Sequence, residues 1–226
     1  VIHLLLRTLR PHGHVRVQYD DPGALAALAG GIARQLLVAP ARAQLVVVCI
    51  GTDRSTGDAL GPIVGSEIRS RVPGLPVYGT LERPVHAVNL DENLRSLQQE
   101  VAFPYVLAID ACLGQASCVG QVTLASGPLS PGAGVHKSLP PVGDFHLTGI
   151  VNVGGFMEYF VLQNTRLGVV MAMARCIAAA VAAGVLESRG QMSPVGLDGG
   201  RDKWGSSGHH EGGPCQRSVG QGGFPP

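Results

Sequence analysis

Two short runs, Leu45 to Ile50 and Tyr105 to Ile109, are apolar at every position and rich in β-branched residues. A strand wetted on one face alternates apolar with polar residues, so an unbroken apolar run reads as a strand covered on both faces. The first run stops at Gly51 and the second at Asp110. Helical patterns lie around them. Leu25, Leu28, Ile32 and Leu36 recur at helical spacing behind Asp20-Asp21-Pro22, which predicts a helix from Pro22 to Val38. Leu60, Ile63, Val64 and Ile68 give a second helix, ended by Pro73-Gly74, and Asn89 is placed to cap a third that runs to Val101. Pro76 to Thr80, Gln121 to Ala125 and Phe145 to Val153 read as further strands, and Phe156 to Leu186 as helix with a break near Gln163 to Arg166. Strands alternating with helices predict an α/β domain with a mostly parallel sheet covered on both faces.

Where that domain ends is a matter of composition. Of the 226 residues, 32 are glycine and 16 proline. Eleven of those glycines and four prolines crowd into Glu187 to Pro226, together with the sole Trp204. So little apolar surface cannot offset the entropy of ordering a chain, which predicts a folded domain over 1–186 and a disordered tail over 187–226. The run Leu167 to Leu186 approaches membrane-spanning length, but Arg175 interrupts it and small residues dominate it, so a packed helix is expected. Lys and Arg number 17 against 16 acids, with 4% aromatics. Neither phosphate-backbone binding nor base stacking is supported, and nucleic acid and membrane are not expected partners. The five cysteines form no CxxC pair, and Cys49 and Cys176 sit in apolar runs as small buried hydrophobes. A reducing compartment fits them.

Asp58 and Asp110 each follow a predicted parallel strand, at the carboxyl edge where open α/β sheets place ligand crevices. Two carboxyls at one rim can divide acid and base roles, because burial and an ionised neighbour raise the pKa of one of them. Each could instead cap the segment that follows it. The loop from Gly51 to Asp58 lacks the Gly-Lys-Ser/Thr ending of a phosphate cradle and ends on a negative charge, so nucleotide binding is disfavoured. Asp53 and Arg54 could pair with each other or with a substrate. His86, His136 and His146 each follow a turn or loop from which one could reach the crevice. No HExxH, closely spaced His pair, CxxC or G-x-S-x-G motif is present, and neither a metal nor another cofactor is expected. Cys112 lies near the rim, but an acidic neighbour should not activate a thiol.

Longer motifs narrow the reading. Gly51-Thr52-Asp53-Arg54-Ser55-Thr56-Gly57-Asp58-Ala59-Leu60-Gly61-Pro62, Tyr78-Gly79-Thr80-Leu81-Glu82-Arg83-Pro84-Val85-His86-Ala87 and Ala108-Ile109-Asp110-Ala111 resemble the YyaC-type spore protein family of endospore-forming bacteria. So do Pro131-Gly132-Ala133-Gly134-Val135 and the stretch from Thr148 to Phe160, and the match extends over about 45–184. That family is similar in turn to the spore germination protease, an atypical aspartic peptidase that degrades small acid-soluble DNA-protecting proteins. Its Asp-Ala-Leu-Gly-Pro and Ile-Asp-Ala motifs carry the two catalytic aspartates, and they fall on Asp58 and Asp110 here. A more distant likeness is to hydrogenase maturation endopeptidases, whose corresponding acids hold nickel with a histidine; that histidine has no assigned equivalent here, and His136 is the residue in a suitable region.

The resemblance implies a phosphorylase/hydrolase-like three-layer α/β sandwich and an endopeptidase of sporulation or germination. It would act on spore proteins in the cytoplasm of the mother cell or forespore. Gly57, Gly132 and Gly134 would let an extended substrate backbone approach closely, with His86 and His136 beside it. Two other functions fit the same residues: a spore-protein-binding module that kept the crevice without cutting, and a nickel-dependent maturation endopeptidase.

Overall fold

The structure, a computed structural model, describes residues 14–131 and 139–192. Six strands are present: β1 (Val15–Gln18), β2 (Gln44–Cys49), β3 (Val77–Tyr78), β4 (Pro104–Gly114), β5 (Gln121–Ser126) and β6 (Phe145–Val153). The helices are α1 (Ala24–Leu37), α2 (Leu60–Arg71), α3 (Leu90–Glu100), α4 (Glu158–Gln163) and α5 (Leu167–Met192). One mixed sheet has the order β1-β5-β6-β4-β2-β3. The pairs β3/β2, β2/β4 and β4/β6 are parallel, whereas β6/β5 and β5/β1 are antiparallel, so β5 alone runs against the rest.

The two apolar runs become the neighbouring central strands β2 and β4. Their alternate residues go to opposite faces. Val47, Cys49, Leu107 and Ile109 pack with Leu28 and Ile32 of α1, Ile63, Val64 and Ile68 of α2, and Val170, Met173 and Ile177 of α5. Val46, Val48, Ile50 and Ala108 meet Leu90 and Leu97 of α3, with Leu129 and Val142 alongside. The result is a three-layer α/β sandwich, and it explains why neither strand alternates. Tyr105 stacks on Phe145, centroids 5.3 Å apart, where β4 and β6 begin.

Helix α5 is long and apolar enough to cross a membrane, but its inner face forms the floor of the core. A Cβ added at Gly184 would stand 2.8 Å from the Ala29 carbonyl oxygen and from Ile32, so α5 and α1 touch nearly backbone to backbone. The expected break is present between α4 and α5. The helix passes the expected boundary at Leu186, however, and runs to Met192, with Ser188 buried and its hydroxyl donating to the Val185 carbonyl. The remainder of the proposed tail lies outside the described residues. Strand β1 was not legible in the sequence because four residues of Val-Arg-Val-Gln alternation are too short to distinguish from loop; β5 supplies the partner that makes them a strand.

Candidate active site

The site forms where β2 stops and β4 continues. Strand β2 ends at Cys49, while β6 goes on pairing with β4 as far as Gly114. Asp110 therefore lies inside β4, opposite Thr148 of β6, one row past the last residue of β2. This corrects the expectation that Asp110 follows its strand. It is the end of the neighbouring strand that opens a place for its carboxyl at the carboxyl edge of the sheet.

The loop from Gly51 folds back over that place. The backbone N–H of Thr52 donates to Asp58 Oδ2 at 3.1 Å. Gly51 sits at φ +142°, and a Cβ there would stand 2.0 Å from the Asp58 carbonyl oxygen. Only glycine allows the loop to close so tightly. Asp58 is not a helix cap: the N-cap of α2 is Ala59, which has no side-chain capping bond. Asp110, inside a strand, caps nothing either.

The two carboxyls have unlike surroundings. Burial pushes Asp110 well above the usual carboxylate range, the Asp58 charge pushes it further, and the Ala111 N–H opposes both. Asp58 is also raised by burial, but the Thr52 N–H and the nearby His86 pull it back. Burial and the Asp58 charge together favour the protonated form of Asp110 more strongly than burial favours that of Asp58.

His86 is the histidine whose charge is felt at Asp58. Its backbone N–H donates to Asn89 Oδ1 at 2.8 Å, and the Asn89 amide donates to the Pro84 carbonyl at 3.0 Å. Asn89, expected to cap α3, occupies the N-cap position but makes no side-chain capping bond there, because its side chain is spent on this turn. The Val88 N–H lies 3.3 Å from His86 Nδ1. Asn89→Ala is expected to lose about 1 kcal/mol of stability. It should also move the His86 ring, which the histidine signals of an NMR spectrum would register.

A family profile described as "Protein of unknown function (DUF1256)" matches residues 16–180 of this chain. The chain belongs to that family. It is also similar to the Bacillus subtilis (strain 168) protein named "Uncharacterized protein YyaC", with 57% identity over 135 residues. The alignment covers 59% of this chain and 66% of that relative, just under two thirds of its length. The YyaC-type resemblance is thus a family relationship, and both acids and His86 lie inside the matched span.

Within this DUF1256 domain, Gly57 does not offer itself to a substrate backbone as expected. It is buried, its N–H donates to the Leu162 carbonyl at 2.8 Å, and a Cβ would meet Leu162 and Thr165 at 2.9 Å. The missing side chain lets the Asp58 loop dock on the α4 segment. Thr165 also accepts from the Asn152 amide at 3.2 Å, so β6, α4 and the Asp58 loop are tied together. Sequence reasoning missed this clamp, since nothing local in Leu162 or Thr165 signals a contact with a loop a hundred residues earlier. His146 is held by its Nδ1 on the Gly127 carbonyl at 2.8 Å, two residues before Thr148 on the strand. Gly132, Gly134 and His136 lie outside the described residues.

Asp53 and Arg54 form no ion pair with each other; the Arg54 N–H instead donates to Thr52 Oγ1 at 3.3 Å. Among the described residues no three His, Cys, Asp or Glu side chains gather as a metal-ligating group. A nickel site on these two acids would need a histidine from beyond them. Burial and the Asp110 charge push the Cys112 thiol up to about 11, against a hydrogen bond with Thr148. Iodoacetamide at pH 8 should therefore modify Cys112 slowly, with the rate climbing towards pH 11. Rapid labelling of this cysteine at neutral pH, read by peptide mass, would contradict the placement beside Asp110.

Proposed function

We propose that this domain is an aspartate-dependent endopeptidase. The observation that carries the reading is the inequality of Asp58 and Asp110: two carboxyls from separate segments interact at one sheet edge, one of them deeply desolvated. A peptide bond needs a base to activate water and an acid to stabilise the carbonyl oxygen and then release the amine. Asp58, the more exposed and held by the Thr52 N–H, takes the proton from water as it attacks the carbonyl carbon. Asp110 gives its proton to the carbonyl oxygen. When the tetrahedral intermediate collapses, the C–N bond breaks and the proton on Asp58 passes to the leaving nitrogen, while the oxygen returns its own to Asp110. The dyad ends as it began, with one proton. His86, near Asp58, helps keep the base ionised.

The same assignment sets the pH dependence. Activity needs Asp58 ionised and Asp110 protonated, so kcat/KM should be bell-shaped. The acid limb should lie above the ordinary aspartate range because Asp58 is raised, and the alkaline limb marks loss of the Asp110 proton. The resemblance to spore proteins points to a sporulation or germination role and to spore proteins as substrates, within the cell that makes them. Incubation with candidate spore proteins, read by intact mass, tests the proposal. Shortened products that disappear with Asp58→Asn are expected, whereas stable co-elution without products would favour a binding module.

A further inference from the structure

Away from the two carboxyls, an open groove of about 410 Å³ lies between α2 and the start of α5. Ile63, Leu167 and Met171 contribute apolar surface to it, and Leu81 stands at its edge. Leu167 is 58% and Leu81 44% exposed, so large apolar side chains here have no cover of their own. Two acids, Asp53 and Glu67, belong to the lining, and no Lys or Arg does among the described residues. Glu67 is bonded to Arg71 at 2.8 Å, whereas Asp53 forms no ion pair among the described residues.

The wall of the groove includes chain neighbours of Asp58, although Asp58 and Asp110 are not themselves part of it. Thr56 and Ala59, two positions before and one after Asp58, are both part of its wall. Consecutive Cα atoms are about 3.8 Å apart, so the backbone of Asp58 lies within one or two residue lengths of that wall. The volume suits one or two side chains. Apolar surface with an acid at its mouth favours an apolar residue beside a basic one and repels an acidic neighbour.

We propose that this groove binds the polypeptide substrate, taking a leucine-sized apolar side chain flanked by lysine or arginine, a few residues from the bond presented to Asp58 and Asp110. The choice of a polypeptide as occupant rests on the hydrolytic reading, but the binding itself can be measured without cleavage. The full chain carrying Asp110→Asn would be titrated, by fluorescence anisotropy, into three labelled ten-residue peptides of alanine and serine. Their centres would be Lys-Leu-Lys, Glu-Leu-Glu and Lys-Ser-Lys. The first should bind about tenfold or more tightly than either of the others. Asp53→Lys and Leu167→Lys, both at exposed positions, should each remove most of that preference while leaving the melting temperature unchanged. Equal affinity for the three peptides would overturn the proposal, as would undiminished binding in both variants. If Lys-Leu-Lys binds in the groove and the unaltered chain never cuts it, the groove assignment stands and the hydrolytic reading falls. If the peptide is cut but the groove variants change neither KM nor affinity, the groove assignment falls alone.

Discussion

Asp110→Asn is expected to lower peptide hydrolysis by about 10²–10⁴-fold while raising the melting temperature at pH 8. On the proposed mechanism, the first effect removes the proton donor of the dyad. The second follows from the raised pKa of a buried carboxyl. Above the ordinary aspartate range the unfolded chain releases this proton, but the folded chain keeps it. Between those two pKa values the folded state binds more protons, so stability falls as pH rises through that window. Asparagine carries no ionisable group, which removes this penalty. The variant should therefore gain most over the parent near pH 8 and little near pH 4, at about 2–4 °C for each kcal/mol recovered. Melting curves at both pH values check this. A variant that is inactive and also less stable at pH 8 would mean that Asp110 holds the fold together, and its role as a proton donor would lose its support.

The second large effect is structural. A Cβ at Gly61 would stand 2.0 Å from the Ile50 carbonyl oxygen and 2.9 Å from its nitrogen. Both obstacles are backbone, so no rotamer change can relieve them. Gly61→Ala must push α2 off the end of β2, at a cost of about 2–4 kcal/mol and roughly 10 °C in melting temperature. Asp58 lies three residues away on the loop that enters α2, so activity should fall with it. Gly168 provides the control. It lies in the first turns of α5 with nothing within 4 Å of an added Cβ, and Gly168→Ala should be neutral or slightly stabilising. Similar melting temperatures for both variants would show that α2 does not approach β2 as closely as described.

Much of the fold was legible from local pattern. Unbroken apolar runs at Leu45 to Ile50 and Tyr105 to Ile109 can satisfy their burial only in strands covered on both faces, and they became β2 and β4. Pro73-Gly74, expected to end α2, directly follow its C-cap Val72, with Gly74 at φ +84° in the turn beyond. The site was legible in part. Asp110 could be singled out because it directly follows an apolar run, and Asp58 because its loop leaves the other apolar run at the same edge of the sheet. Asn89 was assigned a capping role by type alone, and its actual partners, the His86 N–H and the Pro84 carbonyl, depend on how that turn closes.

The sequence by itself determined the periodicities, and so the strands, the helices and the two-sided burial of the sheet, because these depend on residues a few positions apart. Only the tertiary structure decided which carboxyl is pushed further towards its protonated form. That depends on β4 running past the end of β2, on the Thr52 N–H reaching Asp58, and on His86 lying nearby. It also decided that Gly57 serves the α4 clamp and leaves the substrate to other residues. Desolvation and charge act through space, and the segments that supply them here lie tens of residues apart, so no local pattern could have carried that information.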